Sequence, residues 1–199
     1  MKNLGKLEGK TVGIIVTSEF EDIELQYPLL RLSEEGAKII VIPIPPPNWL
    51  HPRPSIPAKP VTGRFGTPVT IDVMEVGKRF VIKQLDEVSP DGLDCVIFPG
   101  GFSPDYLRIE PKVLKFVQEM YNRGKFIAAI CHGPWVFINA GLVKGKKVTA
   151  YVAISEDLKN AGAIYMDVPA VRDGNMITGR VPDDLPDFCK EIINALSEG

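Results

Sequence analysis

The chain has 199 residues, a formal charge of −2, and 45% hydrophobic against 24% charged residues, the proportions of an ordinary globular protein with a substantial core. That charge argues against a dedicated nucleic-acid or membrane-surface binder, and no apolar run approaches the roughly 20 residues of a membrane helix. Residues 1–10 carry three lysines and no apolar stretch, so they do not read as a secretory signal; the expectation is one cytoplasmic domain over residues 1–199.

Thr11-Val12-Gly13-Ile14-Ile15-Val16 lacks polar alternation and is predicted as a strand covered on both faces. The acidic turn Glu19-Phe20-Glu21-Asp22 then opens a helix that runs to about Glu35 and stops at Gly36. Residues 37–42 form a second buried strand, and this alternation implies a parallel sheet with right-handed crossovers. Residues 43–68 break the rhythm. Nine of the chain's 18 prolines fall there, which blocks helix and central strand and predicts an extended surface excursion. Its Trp49, Leu50, His51 and Phe65 could anchor the loop, cap a site or fill a subunit interface, anchoring being the plainest reading.

Residues 69–73 and 79–82 flank Glu75-Val76-Gly77-Lys78 as an expected hairpin. A buried strand over 93–98 ends in Pro99-Gly100-Gly101, and a helix over 112–122 ends at Gly124. The strand Phe126-Ile127-Ala128-Ala129-Ile130 follows and stops at Cys131. Beyond it come a helix over 136–140 capped by Gly141, and short strands in 148–152 and 168–178 with Asp173-Gly174-Asn175 as a turn. A last helix spans 184–196.

In Ile130-Cys131-His132-Gly133-Pro134 a strand meets a helix, and proline suits a helix's first turn. A thiol on that elbow faces unpaired amides and the positive end of the helix, which favour the reactive thiolate. In open parallel sheets, ligands bind at the carboxyl ends of strands, where Pro99-Gly100-Gly101 also lies. A Gly100 or Gly101 amide together with the His132 amide would form an oxyanion hole, the plain alternative being a simple tight turn. His132 is a candidate general base. Glu21 follows the first strand, and a protonated acid there could donate a hydrogen bond to the thiolate. Glu19, Asp22 and Glu24 read as helix-dipole residues.

The cysteines Cys95, Cys131 and Cys189 form neither a disulfide framework nor a metal pattern. Cys95 and Cys189 read as packed core thiols. With two histidines, His51 and His132, an all-histidine zinc site within one chain is excluded, and no spacing supports a mixed one.

Ala129-Ile130-Cys131-His132-Gly133-Pro134, Phe20-Glu21-Asp22 with Glu24 and Tyr27-Pro28, Pro99-Gly100-Gly101 with Pro104-Asp105-Tyr106-Leu107-Arg108, and Arg180-Val181-Pro182-Asp183-Asp184-Leu185-Pro186 together resemble the PfpI family. That family lies within the superfamily named for the Parkinson-disease protein deglycase. The match runs from about Lys10 to the C-terminus, interrupted by the proline-rich excursion. The resemblance implies a flavodoxin-like three-layer α/β/α sandwich with a mostly parallel sheet and Cys131 as nucleophile. Glu21 would be its hydrogen-bonding acid, His132 the adjacent histidine, and Gly100 or Gly101 part of the oxyanion site. Asp105 is the nearest match to an acid that reaches the histidine of a neighbouring subunit, so a homo-oligomer, dimer or hexamer, is implied. Phe102, Trp135 and Arg180 are pocket candidates, and Phe102 and Trp135 depart from the usual residues in a way that makes the pocket more apolar.

No cofactor or metal is implied. The expected function is a cysteine-dependent enzyme acting on electrophilic carbonyls, glyoxalase III-like or deglycase-like. Its substrate would be a small carbonyl compound or a modified protein or peptide. The alternatives are an intracellular cysteine peptidase or amidase, and a stress-response chaperone or redox sensor working through Cys131 oxidation.

Overall fold

The structure, a computed structural model, describes residues 5–45, 60–70 and 76–198. Its first half contains β1 (Thr11–Val16), α1 (Asp22–Glu34), β2 (Lys38–Pro43), β3 (Phe80–Ile82), β4 (Cys95–Phe98), α2 (Ser103–Leu107) and α3 (Pro111–Asn122). The second half contains β5 (Phe126–Ile130), α4 (Pro134–Asn139), β6 (Lys147–Val148), α5 (Ser155–Asn160), β7 (Ile164–Tyr165), β8 (Ala170–Asp173), β9 (Met176–Gly179) and α6 (Leu185–Ser197).

Seven strands form one sheet in the order β3-β2-β1-β4-β5-β9-β8, parallel throughout except for the β8–β9 pair. The unbroken apolar strands follow from burial on both sides. On one face Val12, Ile14, Ile97, Ala128 and Ile130 pack beneath Leu25, Leu29 and Leu32 of α1 and Phe188 and Ile192 of α6. On the other, Ile15, Val96, Phe98, Ile127 and Ala129 pack against Val113, Val117 and Met120 of α3 and Phe137 of α4. The result is the α/β/α sandwich with a mostly parallel sheet that the sequence implies. Chain order along the sheet reverses between β1 and β4, so their carboxyl ends open a crevice there.

Three expectations change. Residues 79–82 do not form a hairpin arm in the described part: β3 pairs in parallel with β2, Ile39 beside Phe80, because its apolar residues extend the buried sheet. The other arm falls partly on residues 71–75, outside the described residues, as do Trp49, Leu50 and His51. Phe65 does not anchor the excursion, being 78% exposed. The strand expected over 148–152 shortens to Lys147–Val148, since the Tyr151 amide is drawn to the Cys131 carbonyl at 3.0 Å. Among the described residues no helix is long and apolar enough to cross a membrane.

Candidate active site

Cys131 sits one residue past β5 with a φ of +61°, a left-handed conformation that non-glycine residues rarely adopt. Strain of this kind, roughly 1–2 kcal/mol, persists because the backbone is fastened on all sides. Cys131 N–H donates to Gly179 O at 3.1 Å, its carbonyl accepts from Tyr151 N–H, and Gly133 N–H donates to Ile130 O at 2.8 Å. Cys131 is buried, 8% exposed. The sequence reads the elbow correctly.

The β1 and β4 ends are laced together beside it. Glu21 N–H donates to Gly100 O, Phe102 N–H to Glu19 O and Thr17 N–H to the Ser103 hydroxyl. Gly101 has a φ of +71°, and a Cβ there would lie 2.4 Å from Glu19 O. A Cβ on Gly100 would lie 2.7 Å from Cys131 Cβ and 2.8 Å from Glu24 Oε2. Both positions therefore require glycine, one for its conformation and both for clearance. The Gly101 and His132 amides lie on the side of the Cys131 sulfur and lower the pKa of its thiol against burial. The Gly100 amide donates to Glu24 Oε2 instead, so Gly101 is the glycine aimed at the reacting centre.

The acid beside the thiol is Glu24, not Glu21. Glu24 is fully buried, next to Cys131. Burial is the main cause of its pKa rising to about 8, with Gly100 N–H opposing and Glu21 adding repulsion. At neutral pH it is therefore a carboxylic acid able to donate a hydrogen bond. Glu21 turns outward, and its Oε2 accepts from Arg64 Nη1 at 2.8 Å. Helical geometry explains the exchange. Residues 24, 25, 28, 29 and 32 lie on the buried stripe of α1, whereas Glu21 precedes the first turn. An acidic residue placed on an apolar helical stripe was the available signal, masked by the general acidity of a helix start.

His132 Nδ1 lies 3.3 Å from Cys131 Sγ, so the two neighbouring side chains meet. Its ring lies between Trp135 and Tyr151, with centroids 5.1 Å away on each side. Burial, then the Arg64 charge, lowers the His132 pKa, while Asp105 on α2 opposes them. His132 is thus neutral and able to accept a proton at pH 7. The structure corrects the expectation that the elbow favours the thiolate: burial first, then Glu24, raises the Cys131 thiol pKa, and the His132 and Gly101 amides oppose this without reversing it, so the resting side chain is a thiol. Trp135 walls the site and is fixed by its Nε1–H donating to Asp157 at 2.8 Å. Phe102 lies under the Arg64 guanidinium. Arg180 is otherwise engaged: it bonds Asp184 at 2.9 Å and Asp167 at 2.8 Å, a brace near the elbow rather than a pocket donor.

Arg64 and Tyr151 carry no local signal in the sequence. They reach the site through long-range backbone pairing, Arg64 N–H to Phe20 O and Tyr151 N–H to Cys131 O. Cys95 and Cys189 are buried core thiols, burial pushing Cys189 up to about 12. No group of three or more metal-ligating side chains is gathered among the described residues.

Comparison with known proteins finds relatives that span nearly the whole chain. The chain is 37% identical over 183 residues to a deglycase of Thermococcus kodakarensis, covering 92% of this chain and 97% of the relative. It is also 37% identical to the putative cysteine protease YraA of Bacillus subtilis, covering 94% and 98%. The structure superposes on Drosophila melanogaster DJ-1beta with a TM-score of 0.76 at 25% identity, covering 96% of this chain and 91% of that one. The DJ-1/PfpI family model matches residues 10–195, and with the cysteine elbow and sheet order described above, the chain belongs to the DJ-1/PfpI family.

Proposed function

We propose that the protein is a cysteine-dependent, cofactor-independent enzyme of the deglycase or glyoxalase III type, acting on electrophilic carbonyls free or attached to proteins. One observation carries this reading: the Cys131 sulfur faces two backbone donors, a neutral imidazole and a protonated carboxyl within one buried pocket. The Cys131 proton passes to His132 Nδ1, and the thiolate attacks the carbonyl carbon. The oxygen's electron pair is received by the Gly101 and His132 amides, an oxyanion hole strengthened by the burial of Cys131 and Glu24. Glu24 then delivers or relays the proton that neutralises the hemithioacetal oxygen. With methylglyoxal, the hydrogen on the attacked carbon moves as a proton to its neighbour, giving a thioester. Water hydrolyses that thioester to lactate and restores the thiol. The deglycase name of a close relative supports this class of substrate.

Assembly into a homo-oligomer belongs to the same proposal, with Asp105 acting on His132 within or between subunits. The test is lactate formation from methylglyoxal and release of adducts from glycated peptides, comparing wild type with Cys131→Ser. Turnover that survives the substitution refutes the proposal. A peptidase reading is favoured by one feature, the 3.3 Å contact of His132 Nδ1 with Sγ. It requires peptide hydrolysis that disappears in the same variant.

A further inference from the structure

The described part of the loop after the proline-rich stretch is fastened to the mouth of the site. Thr62 O accepts from Glu19 N–H at 2.7 Å, and Arg64 N–H donates to Phe20 O at 2.9 Å. The buried Asp22 carboxylate accepts from Phe65 N–H at 2.9 Å and Thr67 N–H at 3.0 Å. These bonds hold Arg64 beside the ends of β1 and β4, next to Glu21 and Phe102. Its guanidinium carbon stands 5.3 Å from the Phe102 ring centroid, directly after Gly101, and 5.8 Å from that of Phe65. Among the described residues only Nη1 is in an ion pair, with Glu21, and a guanidinium has five N–H donors. Of the neighbouring acids, Glu24 is protonated, Glu21 holds one edge of the guanidinium, and the Asp22 carboxylate is turned to the Phe65 and Thr67 amides. Asp105 stays exposed on α2.

We propose that Arg64 is a specificity-determining residue that recognises a carboxylate on the substrate, so that the site prefers carbonyl compounds bearing an acid group close to the reacting carbon over their neutral analogues. The Gly101 and His132 amides receive the reacting oxygen, Arg64 receives the acid, and Glu21 holds the guanidinium in place. Glu21, the partner of Arg64, donates its amide to Gly100 O, and Phe102, under the guanidinium, follows Gly101, so the cation stands beside the glycine pair of the site. The choice of carbonyl compounds rests on the function proposed above; the anion subsite does not.

The test uses alkylation of Cys131, in which the sulfur displaces iodide from iodoacetate (anionic) or iodoacetamide (neutral), read on the Cys131 peptide by mass spectrometry. The iodoacetate-to-iodoacetamide rate ratio should fall about fivefold in Arg64→Met, the size of a half-exposed ion pair. It should recover in part in Arg64→Lys, and 0.5 M salt (about a 4 Å screening length) should lower it in wild type far more than in Arg64→Met. A ratio equal in wild type and Arg64→Met, even if both rates change because the loop has shifted, overturns the proposal. In parallel, glyoxylate, which can form a hemithioacetal with Cys131 but has no ketone carbon to receive the proton, should inhibit methylglyoxal turnover competitively, and its inhibition constant should rise more than KM for methylglyoxal in Arg64→Met. If wild type does not turn over methylglyoxal while the ratio behaves as stated, the carbonyl reading falls and the subsite stands. If methylglyoxal is turned over and the ratio ignores Arg64, the subsite falls alone.

Discussion

Replacing Glu24 by Gln should make the protein more stable, and increasingly so as pH rises. Glu24 is fully buried, and its carboxyl titrates near pH 8 in the fold against an ordinary value of 4.5. Between those limits the folded chain holds a proton that the unfolded chain has released. The unfolded state binds fewer protons, so stability falls as pH rises through this window. At about 1.4 kcal/mol per decade, the loss accumulated by pH 8 is on the order of 4–5 kcal/mol. Gln cannot ionise in either state, and its amide oxygen can still accept from the Gly100 amide. Urea denaturation of wild type and Glu24→Gln at half-unit steps from pH 5 to 8.5 measures the difference. The two should lie within about 1 kcal/mol at pH 5 and separate by several kcal/mol at pH 8, the variant being the more stable. A gap independent of pH, or one that favours wild type with rising pH, would mean that Glu24 is ionised in the fold and would refute the argument.

The raised acid and the lowered base lead to other measurable effects. The acid limb of kcat/KM should lie below the ordinary histidine range, because burial and Arg64 keep His132 neutral; Arg64→Met should move that limb to higher pH. Gly100→Ala pushes a methyl group against Cys131 and Glu24, so the urea midpoint should report about 1–3 kcal/mol of destabilisation and iodoacetamide should reach Cys131 at a changed rate. Asp22→Asn retains one of two carbonyl-type acceptors for the Phe65 and Thr67 amides. It should cost about 1–2 kcal/mol and expose residues 61–67 to limited proteolysis, while an unaltered cleavage pattern would speak against the clasp.

The sheet was legible wherever burial on both faces removed polar residues from the strand. Thr11–Val16, Lys38–Pro43 and Phe126–Ile130 fall close to where their apolar runs place them. The elbow was legible because Gly133 and Pro134 mark it chemically. What sequence alone obscured was direction. Four acidic residues crowd the start of α1, and the dipole explains all of them equally well. Only the phase of the helix against Leu25, Leu29 and Leu32 selects Glu24 as the one facing inward. Arg64 was beyond reach for a different reason. It lies 43 residues from Glu21 in the chain, and nothing in a proline-rich run announces which strand end its far side will meet.

The first turn of α1 therefore works as a manifold. Glu21, Asp22 and Glu24 point in three directions because Glu21 is the extended residue before the helix, while Asp22 and Glu24 are helical residues about 200° apart. One orients the cation, one fastens the loop, and one supplies the acid beside the sulfur. A small rotation of that turn would alter recognition, loop closure and nucleophile chemistry in the same motion. Variation at residues 21–24 is thus constrained by three tasks at once.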